Sequence, residues 1–201
     1  MHATHPAVGA ARIGPNALIQ TVAALEEERG PQETRRFLRR IGRGDLAERP
    51  PTHMVDELAF ISLIGAIRAD VGVAAAGRIL ARSGERTAAY VLANRIPAPA
   101  RAVLPLLPRR LGLRLLLGAI GGHAWTFAGG GRFSYAVERG GATLRLGSCP
   151  ECRGMAATEP ICRYYEGCFQ GLLRPLIDGR IVVREVACAA QGGDACVFEV
   201  R

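Results

Sequence analysis

Six cysteines carry the reactive chemistry of this 201-residue chain, and three of them fall within "CPECRGMAATEPIC", residues 149 to 162. Cys168, Cys188 and Cys196 follow before the end. Thiols at this density can form a disulfide framework, a redox pair, a metal site or buried packing. A chain of this length builds a sizeable core without cross-links. Its first residues, "MHATHPAVGAARIGPNALIQ", show no basic region followed by an apolar one, so no signal peptide is expected. The expected compartment is the cytoplasm, where thiols stay reduced and clustered cysteines read as metal ligands or redox groups.

One set is distinguished by its spacing. Cys162, Glu185, Cys188 and Cys196 form C-x22-E-x2-C-x7-C. Three thiolates and a carboxylate suit a closed, tetrahedral structural zinc site. Such a site would tie a helix to two C-terminal strands and keep the last strand from fraying. Strand geometry sets a condition on it. Residues three apart on an ideal strand face opposite sides, so Glu185 and Cys188 meet one ion only if the strand bulges or ends near Val186. Failing that, Asp194 would supply the carboxylate. Small, buried, apolar cysteines are the competing reading, and spacing alone leaves both open. Cys149 and Cys152 make a C-x-x-C pair with Arg153 as its close cation and no βαβ context. They read as ordinary loop thiols, or in second place as an alternative zinc set.

A second group lies in "GGHAWTFAGGGRF". His123, Trp125, Phe127, Phe133 and Tyr135 could line a flat apolar cavity between helices and sheet. The imidazole would then serve as axial ligand to a chelated metal, or as partner to a carboxylate. Gly129, Gly130 and Gly131 would let the backbone turn tightly or approach a ligand closely. Core packing of the aromatics with one satisfied histidine accounts for the same residues.

The elements that must position these groups follow from periodicity. Residues 1–12 read as a loose tail. "NALIQTVAALEEERG" places Leu18, Val22 and Leu25 on one helical stripe between Asn16 as cap and Gly30 as stop, and Pro31 opens a second helix ending near Gly42. Beyond a linker at 48–53, Met54, Leu58, Ile61 and Ile64 or Gly65 mark a central helix, and one or two more run to Pro97. The apolar stretch 98–122 is interrupted by Pro105, Pro108, Arg109, Arg110 and Arg114, so it reads as a buried or surface-docking helical pair, not a membrane span. Past Gly122 the period changes to two. "RFSYAVE" and "TLRLGS" form a hairpin. A helix runs from about Glu159, capped by Thr158, to Asp178 with the stripe Ile161, Tyr165, Cys168, Leu172 and Leu176. "RIVVREVAC" and "CVFEV" are the last strands. The expected fold is α+β, with helices packed on an antiparallel sheet of about four strands. Residues 1–53 are expected to form an N-terminal tail and helical segment, and 54–201 the main domain.

The formal charge is +8, and all 26 basic residues are arginine. Genome composition can produce that bias. The functional alternative is attraction to carboxylates, phosphates or acidic lipid. Scattered arginines and 5% aromatics, without helix-turn-helix or zinc-finger spacing, argue against nucleic acid as partner.

"CRYYEGCFQGLL", "VVREVACAAQGGDACVFEV" and "GHAWTFAGGGRFSYAV" resemble the vinyl-4-reductase domain family over about residues 54–201. The resemblance implies a Bet3-like fold, that of transport-particle subunits. In aromatic-sensing regulators that carry this domain, three cysteines and an acidic residue hold zinc, and that pattern falls on Cys162, Glu185, Cys188 and Cys196. Over the whole length the similarity is to members assigned to bacteriochlorophyll biosynthesis and called 4-vinyl reductases. It implies a tetrapyrrole ligand such as a Mg-porphyrin, pathway enzymes as partners, and Arg109, Arg110 or Arg114 meeting propionates at the rim. The sequence contains no G-x-G-x-x-G after a strand, no flavin signature and no iron–sulfur cysteine run. The expectation is therefore a binder or carrier, with a reductase as the alternative and a dimerising scaffold as a third reading. Peripheral contact with a membrane through the apolar helices is compatible with all three.

Overall fold

The computed structural model describes residues 11–201, so the expected tail falls almost wholly outside the described part. A two-residue strand β1 (Arg12–Ile13) pairs antiparallel with β2 (Val55–Asp56). Between them lie α1 (Asn16–Arg29), α2 (Pro31–Arg40) and the short α3 (Asp45–Glu48). Gly30 ends α1 at φ 80°, in the region where glycine avoids the cost of a Cβ. Ile13, Leu18, Leu25, Phe37 and Leu38 are buried with the residues of the central helix, so the segment before residue 54 joins the same core.

The central helix α4 (Glu57–Asn94) is capped by the Asp56 carboxylate, which accepts the Leu58 amide at 2.8 Å. Gly72, with φ 79° and ψ 162°, breaks it in two. The buried stripe is Phe60, Leu63, Ile64 and Ile67: of the expected residues Ile64 is buried, but Leu58 is exposed, and the inward face is turned relative to the expected Leu58–Ile61 line. Among the described residues α4 is the one helix long and apolar enough to cross a membrane, although this inner face belongs to the core. Next come α5 (Ala98–Val103), none of whose residues is buried, and α6 (Arg109–Gly122), which docks through Gly112, Leu113, Leu116 and Leu117; of the expected docked pair only α6 is seated on the core.

The second half alternates as expected. Strands β3 (Arg132–Val137) and β4 (Ala142–Gly147) precede α7 (Arg163–Leu176), and β5 (Val183–Ala187) and β6 (Ala195–Val200) follow it. The four form one antiparallel sheet in the order β3–β4–β6–β5, giving an α+β architecture. Alternation puts Leu144, Leu146, Cys196, Phe198 and Val200 on the inner face. Phe169 of α7 meets Phe198 with ring centroids 5.4 Å apart. Helix α7 in turn lies against α4 through glycines. A Cβ on Gly84 would stand 2.1 Å from the Tyr164 carbonyl oxygen, and one on Gly167 would stand 2.4 Å from that of Ala81.

Helix α7 starts four residues later than expected, and Thr158 does not cap it. The cap position belongs to Cys162, whose side chain makes no capping bond. The free amides of the first turn are satisfied from a distance instead. The Glu151 carboxylate accepts from Tyr164 N at 3.0 Å and Tyr165 N at 3.2 Å. The α7 face that is buried is Tyr164, Tyr165, Phe169, Leu173 and Leu176, so Leu173 replaces the expected Leu172.

Candidate metal centre

Strand β5 contains the irregularity that the ligand spacing requires. Glu185 pairs with Phe198 and Ala187 with Val197, leaving Val186 as an extra residue. Val186 and Ala187 both face out, which returns Cys188 to the side of Glu185. Cys196 opens β6 opposite Leu146, and Cys162 ends the loop before α7. Cys162, Glu185, Cys188 and Cys196 thus converge, each buried and each offering a ligand atom within 4.8 Å of the others. Asp194, the substitute considered for the carboxylate, instead points to solvent and pairs with Arg145 at 3.2 Å.

Cys149 and Cys152 are not ordinary loop thiols. They flank a single 3-10 turn (Pro150–Cys152) just past β4 and are buried. With Cys162 and Cys196 they form a second set whose sulfurs lie within 4.8 Å of one another. Neighbouring Sγ atoms are 3.4 Å apart for Cys152–Cys196 and Cys162–Cys196. They are 3.7 Å apart for Cys149–Cys162, Cys162–Cys188 and Cys188–Cys196. A disulfide needs about 2.05 Å. The edge of a tetrahedron with metal–sulfur bonds of about 2.3 Å is roughly 3.8 Å. The observed spacings match the second figure. Cys168 stays outside, on α7, where burial pushes its thiol upward in pKa.

Two further observations fit a cation. Glu185 Oε2 accepts the Cys162 amide at 2.7 Å, but its Oε1 is buried without a partner. An orphaned carboxylate oxygen is costly unless something positive meets it. Burial also pushes the Cys149 and Cys162 thiols up, which makes a thiolate costly there without a compensating charge. A divalent soft ion such as zinc would supply that charge and take these cysteines as thiolate ligands.

The loops are held by Arg68 of α4, which donates to the carbonyls of Glu151 at 2.6 Å and Ile161 at 3.0 Å. Its guanidinium lies 3.6 Å from Glu151 Oε1. Burial raises the Glu151 carboxyl to about 8 against the pull of Arg68 and the two helix amides. One buried cation therefore fixes the turn carrying Cys149 and Cys152 against the loop end carrying Cys162.

The aromatic group divides into two environments. Phe127 and Phe133 join Tyr165 and Phe169 in one aromatic cluster, in which Phe127 and Phe133 meet edge-on with centroids 5.5 Å apart. Tyr165 Oη donates to the Phe127 carbonyl at 2.7 Å. His123 and Trp125 lie on an exposed 3-10 turn after α6, with Trp125 61% exposed. Tyr135 sits on the edge strand β3 beside Gly118 and Gly121 of α6. The glycines 129–131 serve packing. Gly129 (φ 58°) has no room for a Cβ beside the Glu57 carboxylate, which accepts the Gly130 amide at 2.8 Å and pairs with Arg153.

Residues 143–201, which hold every one of these candidate ligands, match the vinyl-4-reductase domain. The bacteriochlorophyll synthase 23 kDa chain of Rhodobacter capsulatus is 40% identical over 188 residues, covering 93% of this chain and 85% of that protein. Its counterpart in Cereibacter sphaeroides is 36% identical over 195 residues, covering 97% and 92%. A solved vinyl-4-reductase family protein from Methanocaldococcus jannaschii is 21% identical and covers 61% of this chain and 66% of that one, with a TM-score of 0.33. On this similarity the chain belongs to the family of vinyl-4-reductase-domain proteins that includes the bacteriochlorophyll synthase 23 kDa chains.

Proposed function

We propose that this protein binds a tetrapyrrole intermediate of bacteriochlorophyll biosynthesis and presents it to the enzymes of that pathway, with structural zinc holding the domain together. The observation that carries the reading is colinear similarity, over nearly the whole chain, to relatives named bacteriochlorophyll synthase 23 kDa chain. The Bet3-like form of the α+β fold belongs to the same reading.

The turn at 123–126 supports a flat, chelated ligand. A carbonyl can only accept, so the 2.9 Å contact of His123 Nδ1 with Ala119 O puts the proton on Nδ1. That leaves the Nε2 lone pair for an axial bond to magnesium. Trp125 offers an exposed face for stacking, and Arg109, Arg110 and Arg114 are exposed cations on the neighbouring α6 for carboxylates. The exposed apolar residues of α5 and α6 would rest on an anionic membrane, where such pigments partition.

Titration with Mg-protoporphyrin and its metal-free parent tests this. We expect a Soret shift without consumption of NADPH. Trp125→Ala should weaken both ligands by about tenfold, the size of a lost aromatic contact of ~1.4 kcal/mol. His123→Ala should weaken mainly the magnesium form. Absence of any spectral shift at micromolar protein would refute binding, and NADPH consumption with reduction of a vinyl group would make the protein a reductase instead.

A further inference from the structure

The two ligand sets share Cys162 and Cys196 and nothing else. One ion can use only one set, and it strands two groups of the other in the interior. An ion on Cys162, Glu185, Cys188 and Cys196 strands Cys149 and Cys152, and an ion on the other set strands Glu185 and Cys188. All six are buried, none more than 4% exposed. We propose that the cluster holds two divalent soft ions such as zinc, each tetrahedral and bridged by the thiolates of Cys162 and Cys196. Cys149 and Cys152 complete the coordination of one, and Glu185 and Cys188 that of the other. This rests on the zinc reading of Cys162, Glu185, Cys188 and Cys196 and adds a second site to it.

Geometry, charge and connectivity carry the inference. Two tetrahedra that share an edge need six ligands, two of them common, and six converge here with two in common. The shared edge, Cys162 Sγ to Cys196 Sγ, is 3.4 Å, short enough for both sulfurs to contact both ions. Two divalent ions against five thiolates and one carboxylate leave the same net negative charge as one ion held by four anionic ligands. The second ion therefore adds no buried charge, and it removes the cost of two unused polar groups. The bridging sulfur of Cys196 also receives the Ala189 amide at 3.5 Å, which disperses its charge. The Cys149–Cys152 turn has the C-x2-C spacing that structural zinc takes. It is pinned in place by Arg68, whose side chain is 4% exposed.

Native mass spectrometry and elemental analysis of the full chain, purified and supplied with zinc, test the proposal. Two ions per chain are expected. The double variant Cys149→Ser, Cys152→Ser should keep one, and Cys188→Ser should also keep one. In the wild-type protein loaded with cobalt, the paramagnetic resonance signal per cobalt should fall several-fold between one and two equivalents, because bridging thiolates couple the two spins. That readout needs no variant to fold. A single ion per chain at saturating zinc would overturn the second site while leaving the first. No tightly held ion would overturn both. Two uncoupled cobalt ions, or two zinc ions retained in the double variant, would place the second ion elsewhere and refute the bridge.

Discussion

At the scale of single residues, Cys188 is the sharpest probe of the candidate metal centre. It sits beyond the β5 bulge, and its sulfur is 3.7 Å from those of both Cys162 and Cys196. In a structural site the energy of metal binding is energy of folding. Cys188→Ser should therefore lower metal content and reduce stability by about 3–5 kcal/mol, or roughly 10 °C in melting temperature for a chain of this size. Unchanged metal and melting temperature would mean the thiol only packs. The four residues Cys162, Glu185, Cys188 and Cys196 were legible in the sequence because three of them flank one β-hairpin, where spacing translates into distance. Cys149 and Cys152 were legible only as a second choice. They come close only because β4 lies beside β6, with Gly147 opposite Ala195, so the end of β4 meets Cys196. Sequence order does not reveal that β4 neighbours β6 and not β5. The C-x-x-C spacing alone flagged the pair, and it placed the pair behind the reading as loop thiols.

At the scale of elements, the contact between α4 and α7 decides where the centre's loops go. The buried faces cross through Gly84, Gly167 and Gly171, so the two backbones approach more closely than side chains would allow. This closeness lets Arg68 reach the carbonyls on both ligand loops. Gly167→Ala puts a methyl 2.4 Å from the Ala81 carbonyl oxygen, where only the helix itself can move. We expect a loss of about 3 kcal/mol, or roughly 5–10 °C, by calorimetry. Gly179→Ala, with nothing within 4 Å of its Cβ, should stay within about 0.5 kcal/mol. Equal effects of the two would show that the helices part without cost. Helix and strand identities were legible from the change of period at Gly122. The start of α7 was not, because its cap is Glu151, a residue twelve positions before it whose role depends on folding. The inward stripe of α4 was missed for a related reason. A broadly apolar helix carries little information on which side will meet its neighbours, and the break at Gly72 resets the phase.

At the scale of the molecule, charge and apolar exposure coincide on one stretch. From residue 86 to 137 the chain has seven arginines and no acidic residue. Within it Val103, Leu106, Leu111 and Leu115 are exposed on and between α5 and α6, with Leu106 at 83%. Arg101, Arg109, Arg110 and Arg114 share these elements and face solvent. A surface combining apolar tips with exposed cations fits an anionic lipid interface, where each arginine contributes about 1 kcal/mol and each inserted leucine a comparable amount. Cosedimentation should show binding to vesicles of phosphatidylglycerol and phosphatidylcholine, and little to phosphatidylcholine alone. Raising salt from about 0.1 to 1 M shortens the screening length from about 10 to 3 Å and should weaken binding several-fold. Leu106→Asp should abolish what salt leaves, with metal content and melting temperature unchanged because the side chain touches neither core nor centre. Binding that is indifferent to both lipid charge and Leu106 would defeat the idea. So would a chain that ignores vesicles and elutes at twice its mass until Leu106→Asp restores the monomer, since that face would then be covered by a second copy.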